Sequence, residues 1–192
     1  VLTYKAKFKD GILNNFAEID TSKTKNSVTA KGKNGSKEVI SNTPEINIGD
    51  QFKNYKWISK SGNVQNQNGK KYINWTVKYN ESKLVSVKGN TVTDTIPENE
   101  GKISFKENDK ITVKRSDGKT FEITIPNDGK TWSYKIGSDS GDTYGNEKES
   151  YSYEFTYTTE VDANELADVY GNATIQNGVS DDKGHSAQKD VS

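Results

Sequence analysis

Apolar and polar residues alternate along this chain with a period of two. The clearest run is Tyr72 to Asn80, where Ile73, Trp75, Val77 and Tyr79 alternate with Asn74, Thr76, Lys78 and Asn80. Successive side chains of a strand point to opposite faces, so the run predicts one buried face and one wet face. Similar runs cover Ile111 to Val113, Phe121 to Ile125, Trp132 to Ile136 and Tyr151 to Val161. Tight-turn dipeptides punctuate them: Asp10-Gly11, Asn34-Gly35, Asn68-Gly69, Asp117-Gly118, Asp128-Gly129 and Asn177-Gly178. Short strands at such spacing predict an all-β sandwich. Trp75, mid-strand between Ile73 and Val77, is expected in its core. The one helix-like stretch, Asp162 to Asp168, is too short to alter this picture.

A break is expected at Asn42-Thr43-Pro44, followed by Asn47-Ile48-Gly49-Asp50. Upstream, Leu2 to Phe8, Phe16 to Ile19, Val28 to Lys31 and Glu38 to Ile40 read as a few closing strands without the rest of a sandwich. A thin echo links the two ends. Leu2-Thr3-Tyr4 and Phe16-Ala17-Glu18-Ile19 resemble Phe155-Thr156-Tyr157 and Asn172-Ala173-Thr174-Ile175. The organisation read from these patterns is 1–45 as the partial end of an upstream domain, 46–179 as the main domain, and 180–192 as a polar tail or linker. The chain opens at Val1 inside a strand pattern, which reads as a mature or excised fragment with any export signal or wall anchor outside it.

Composition narrows the function classes. Only 30% of the 192 residues are hydrophobic, and the mean hydropathy of −0.95 leans toward disorder. Aromatics at 10%, placed inside the alternating segments, argue the other way. The 27 basic and 27 acidic residues cancel, so charge makes no case for nucleic acid or an anionic membrane. No apolar stretch has membrane-spanning length. There is no Cys and no Met, which excludes disulfides, thiolate chemistry and Cys-based zinc sites. The one histidine, His185, lies in the polar tail, so a core Ser-His-Asp arrangement is excluded. No phosphate loop occurs, and no cofactor is expected. Asp139, Asp142, Glu147 and Glu149 offer oxygen ligands suited to calcium but lack its loop spacing and glycine, and read as an acidic solvated loop. Asn34, Asn74, Asn80 and Asn172 match the glycosylation pattern in form only.

The informative residues are charges on apolar faces. In Thr91-Val92-Thr93-Asp94-Thr95-Ile96-Pro97, Asp94 shares a face with Val92 and Ile96. A lone ionised carboxylate in a core is costly, so Asp94 must be neutral or paired. Lys60 shares parity with Ile58, just before Ser61-Gly62, which reads as a turn toward the Trp75 strand. On the residues alone, a buried Lys–Asp salt bridge and a parity broken by a bulge both stay open.

The ordered set Lys60-Ser61-Gly62, Ile73-Asn74-Trp75-Thr76-Val77-Lys78-Tyr79-Asn80 and Val92-Thr93-Asp94-Thr95-Ile96 resembles the second A-region subdomain of Gram-positive collagen-binding adhesins. Phe155-Thr156-Tyr157-Thr158-Thr159-Glu160-Val161 and Val169-Tyr170-Gly171-Asn172-Ala173 are similar to that subdomain's last strands. The resemblance covers residues 50 to 180, and the upstream piece resembles the end of the first subdomain. It implies an immunoglobulin-like sandwich, a variant with extra strands between D and E. It implies a self-made isopeptide bond between Lys60 and Asn172, promoted by Asp94. Lys56 and Asn177 are the neighbouring alternatives. Lys60 is preferred because it precedes Ser-Gly, and Asn172 because it precedes the small Ala173.

The residue types suit that chemistry. Burial lowers a lysine pKa and frees the amine, while it raises an aspartate pKa and supplies an acid. The resemblance further implies an extracellular, cell wall-anchored protein that binds an extracellular-matrix partner such as collagen. Neither nucleic acid nor membrane is a partner, and the segment is monomeric within a larger chain. Residues 180–192 then read as a linker or as a latch that adds a strand to a neighbour. A structural stalk or pilus-like module with the same crosslink and no ligand is the alternative. No enzymatic turnover on an external substrate is expected.

Overall fold

The computed structural model describes residues 29–30, 39–40, 55–83, 85–97, 103–105, 109–125, 130–162 and 174–192. The chain divides into two compact units, Val1–Tyr55 and Lys56–Ser192. In the first, β1 (Thr29–Ala30) and β2 (Val39–Ile40) pair antiparallel, with Thr29 opposite Ile40. They fall within two of the four upstream runs read from the sequence. The other two runs, and the boundary expected after residue 45, lie outside the described residues.

The second unit contains ten strands among its described residues. They are β3 (Ile58–Gln67), β4 (Lys70–Tyr79), β5 (Thr91–Thr95), β6 (Ile103–Phe105), β7 (Lys110–Arg115), β8 (Thr120–Thr124), β9 (Thr131–Lys135), β10 (Tyr153–Val161), β11 (Ile175–Asp181) and β12 (Ser186–Val191). One sheet runs β3-β4-β10-β7-β8, with β6 also paired to β10; the other runs β12-β11-β5-β9. All pairings are antiparallel. This is the all-β, immunoglobulin-like sandwich expected, and each of the five alternating runs lies on a strand.

Period-two alternation places the core. Ile73, Trp75, Val77 and Tyr79 of β4, and Tyr153, Phe155 and Tyr157 of β10, point inward beside Ile111 and Val113 of β7. Across the sandwich, Trp132 of β9 meets Phe155 at 5.3 Å and Tyr157 at 5.6 Å between ring centroids. Trp75 is fully buried, and its indole N–H donates to the Thr159 hydroxyl at 2.9 Å. A buried indole needs such a partner, so Trp75 is a satisfied core residue as expected.

Three sequence expectations need correction. Ser61-Gly62 is not a turn: it lies inside β3, and the chain reverses at Asn68-Gly69, where both residues have positive φ. Gly62 is required by close packing instead. A Cβ there would come within 2.6 Å of the Trp75 ring and 2.7 Å of Val191. Asn177-Gly178 is likewise not a turn but the middle of β11.

The third correction concerns residues 180–192, which are neither linker nor free tail. Ser180 and Asp181 end β11, and β12 pairs back along it, Ile175 opposite Val191 and Val179 opposite Ala187. The polarity that disguised β12 suits an edge strand, where charged side chains discourage further pairing. Only Val191 of β12 is fully buried. His185, in the connecting turn, holds the hairpin: its Nδ1 is 2.7 Å from Asp181 Oδ2, and its ring stacks on Trp57 at 4.3 Å.

Candidate functional site

Four strands deliver one side chain each to the interior between the sheets. Lys60 of β3 points inward with Ile58 and stands opposite Val77 of β4. Tyr157 of β10 lies between the inward Phe155 and Thr159. From the other sheet, Asp94 of β5 lies between Val92 and Ile96, and Asn177 of β11 between Ile175 and Val179. Val179 stands opposite Asp94 in the β5–β11 register, so Asn177 is the next inward residue along β11, diagonal to Asp94.

The Lys60 and Asp94 side chains are both completely buried. Lys60 Nζ donates to Asp94 Oδ2, to the Tyr157 hydroxyl at 2.8 Å and to the Gly178 carbonyl at 3.4 Å. Tyr157 in turn donates to Asp94 Oδ2 at 2.6 Å. Asn177 Nδ2 donates to the Tyr157 oxygen at 3.2 Å. Two acceptors are left over: Asp94 Oδ1 and Asn177 Oδ1 are buried without a hydrogen-bond partner. Such orphans are uncommon and costly in a native core. The rings of Trp75 and Tyr157 wall the amine at 5.0 and 5.5 Å.

Burial sets the protonation of the pair. It lowers the Lys60 pKa to about 8, against the opposing pull of Asp94. It raises the Asp94 pKa, against Lys60, Tyr157 and Asn177, which all favour the carboxylate. Both shifts favour the uncharged partners, a free amine and a carboxylic acid. An amine nucleophile, a carboxamide and an acid able to polarise the amide oxygen are the groups an amide exchange requires. Once Asp94 carries a proton its unpartnered oxygen can become a donor, while Asn177 Oδ1 remains an acceptor without a partner.

The pair's titration has a measurable consequence in an Asn177→Ala chain. Unfolded, Lys60 keeps its proton up to about 10.5; folded, it releases it near 8. Between those values the unfolded state binds more protons, so stability rises with pH across the window. Asp94 works in the opposite sense at lower pH: its raised folded pKa loses stability as pH climbs through it. The urea midpoint of Asn177→Ala should therefore rise from pH 8 to 10.5 relative to Lys60→Met/Asn177→Ala, which lacks the titrating amine. A flat difference would contradict the lowered lysine pKa.

Of the residues singled out in the sequence, Lys60 and Asp94 are brought together. Asn172 lies outside the described residues. The carboxamide at the cluster is that of Asn177, the alternative set aside at first. The sequence reading also passed over Tyr157, although it shares parity with Phe155.

The acidic loop residues do not converge. Both Asp142 oxygens are filled by protein donors: Arg115 at 2.8 Å and Tyr153 at 2.9 Å on Oδ1, Tyr134 at 2.8 Å and the Gly137 N–H at 2.7 Å on Oδ2. Glu147 pairs with Lys88, and Glu149 accepts from Tyr151 and the Gly145 N–H. Among the described residues no three acidic or imidazole groups are placed to share a metal ion.

No family model and no curated protein matches the sequence. Among solved structures the chain is similar to the collagen-binding domain from a Staphylococcus aureus adhesin, at 14% identity and a TM-score of 0.49, covering 71% of this chain and 97% of that one. It is also similar to the collagen binding subdomain of the Enterococcus faecalis surface protein ACE, at 11% identity and a TM-score of 0.44, covering 72% and 94%. Against the collagen adhesin CNA of S. aureus the identity is 14% and the TM-score 0.49, covering 92% of this chain and 59% of that one. Likeness at this level carries no weight for the chemistry of the site, which rests on this chain's own residues.

Proposed function

We propose that this chain is a segment of a Gram-positive cell-surface adhesin that binds an extracellular-matrix protein of the collagen type. We further propose that its sandwich is closed by a self-made isopeptide bond between Lys60 and Asn177. One observation carries the crosslink: a buried amine, a buried carboxyl and a buried carboxamide from three strands converge between the sheets. In the reaction, Lys60 Nζ attacks Asn177 Cγ, the Cγ–Nδ2 bond breaks, and the nitrogen leaves as ammonia with the proton given up by the amine. Asp94 lends its own proton to the Asn177 oxygen, takes one from the adding amine, gives that one up toward the departing nitrogen and regains its own when the carbonyl reforms, so it is unchanged at the end. The chain acts once, on itself, and is not an enzyme for an outside substrate.

The adhesin reading is supported by the ordered resemblance of residues 50 to 180 to collagen-binding A regions. It places the protein outside the cell, anchored to the wall, as a monomeric segment of a longer chain. Asn177 is proposed in place of Asn172 as the bonded residue because its carboxamide and the Lys60 amine share the Tyr157 hydroxyl. A second reading, a stalk module with the crosslink and no ligand, is favoured by the polarity of the outer surfaces. One shallow groove is lined by Gln65, Asn66, Gln67, Asn74, Asp109 and Thr158 beside Tyr72.

Solid-phase binding of the folded chain to collagen, fibrinogen and fibronectin separates the two. Saturable binding to collagen is the expected result. A crosslinked chain that binds none of the three supports the stalk.

A further inference from the structure

We propose that Tyr157 is a catalytic residue of the crosslinking step, with its hydroxyl serving as the relay that carries the proton from Asp94 to the departing nitrogen of Asn177. The inference rests on the Lys60–Asn177 reading above and adds a group to it. The Tyr157 oxygen touches every reacting partner: it accepts from Lys60 Nζ at 2.8 Å and from Asn177 Nδ2 at 3.2 Å, and it donates to Asp94 Oδ2 at 2.6 Å. Tyr157 is the hydroxyl among the described residues that lies within 3.2 Å of both the amine and the leaving nitrogen. Asp94 Oδ2 is already occupied by Lys60 and Tyr157, and the Asn177 amide also acts on the Asp94 carboxyl, so direct transfer is the route with which the relay competes.

The amide nitrogen of Asn177 is a donor in the resting state and has no basicity. It gains a lone pair when the Lys60 amine adds to Cγ, and must then be protonated before it can leave. Asp94, holding the proton taken from Lys60, passes it to the Tyr157 oxygen. The Tyr157 O–H proton passes to Nδ2. The Cγ–Nδ2 bond breaks and ammonia departs. Tyr157 and Asp94 return to their starting states, and one proton has moved from Lys60 to the ammonia. Burial holds the Tyr157 pKa well above that of a free tyrosine, so the hydroxyl keeps a proton to donate. Its ring, packed between Phe105 and Trp132, fixes the oxygen in place.

The test follows ammonia loss by intact mass in newly synthesised chains, folded at low pH where the amine is protonated and then shifted to near pH 8. Tyr157→Phe keeps the ring and removes only the relay. It is expected to crosslink about 100-fold or more slowly than wild type, the usual scale for losing an acid–base group. In mixtures of light and heavy water, wild type should show a curved rate dependence, from more than one proton in flight, and Tyr157→Phe a linear one. A purely structural role would not change that shape. Folding is scored separately, by the urea midpoint of Tyr157→Phe in a Lys60→Met chain that cannot crosslink. Should Tyr157→Phe fail to fold, wild type still decides through its own isotope dependence, where a linear plot overturns the relay. Tyr157→Phe crosslinking at the wild-type rate with an unchanged isotope dependence also overturns it. If wild type itself never loses ammonia, the Lys60–Asn177 reading has failed instead.

Discussion

Asn177→Ala should lower the thermal midpoint of the Lys56–Ser192 unit by on the order of 15 °C. A bond from Lys60 to Asn177 closes a loop of roughly a hundred residues, and a crosslink of that span limits the unfolded chain by about 4–5 kcal/mol if it behaves as a disulfide does. Without such a bond the substitution loses the 3.2 Å hydrogen bond to Tyr157 and a smaller interaction with the Asp94 carboxyl. That loss is worth about 1 kcal/mol and a shift of a few degrees. The two accounts therefore differ several-fold in one calorimetric scan. Asn177→Ala is the cleaner probe because Lys60, Asp94 and Tyr157 keep their mutual contacts. Lys60→Ala should destabilise further, since it also removes the hydrogen bonds of the buried nitrogen to Asp94 and Tyr157 and leaves a cavity beside Trp75. It should also expose the chain to proteases that wild type resists.

Trp75→Ala should cost about 3–5 kcal/mol, the range for truncating a large aromatic in a core. The indole is fully buried, packs over Gly62 and donates to Thr159. Its removal opens a cavity, strands the Thr159 hydroxyl and takes away one wall of the amine pocket. Water entering there would raise the Lys60 pKa toward its solution value and leave less free amine at neutral pH. The chain should thus lose stability in urea and also crosslink more slowly. Stability within 1 kcal/mol of wild type, well below the usual cost, would contradict the packing described.

Much of this fold was legible because burial on one face imposes period two. The β4 run and the Val92-Asp94-Ile96 face both follow from that rule; for Lys60 it left open a buried pair with Asp94 or a bulge, and the pair is what the core contains. Where dipeptide chemistry competed with parity, parity was the better guide. Asn177-Gly178 looks like a hairpin turn, yet Ile175, Asn177 and Val179 alternate inward as Val92, Asp94 and Ile96 do. Reading the turn hid a carboxamide at the cluster, while Asn172, preferred because it precedes the small Ala173, lies outside the described residues. Ser61-Gly62 misled in the same way: its glycine answers to the Trp75 ring, a contact between strands that no local pattern shows. The β12 strand was illegible for another reason. An edge strand with one wet face needs few apolar residues, and its single buried Val191 leaves almost no alternation to find. Tyr157 was visible as a core position, but its role comes from three partners distant in sequence.

Intact-mass measurement joined to peptide mapping tests the central claim most directly. The folded wild-type chain should be lighter than its sequence mass by one ammonia, and Asp94→Ala should restore the full mass. Because an Asn-Gly pair can also lose ammonia by closing on its own backbone, the mass must be traced to a peptide pair. Digestion should release one branched species joining the peptide of Lys60 to the peptide of Asn177, resistant to cleavage after Lys60. A folded wild-type chain at its full sequence mass, or one whose lost ammonia maps to any bond other than Lys60–Asn177, would contradict the account.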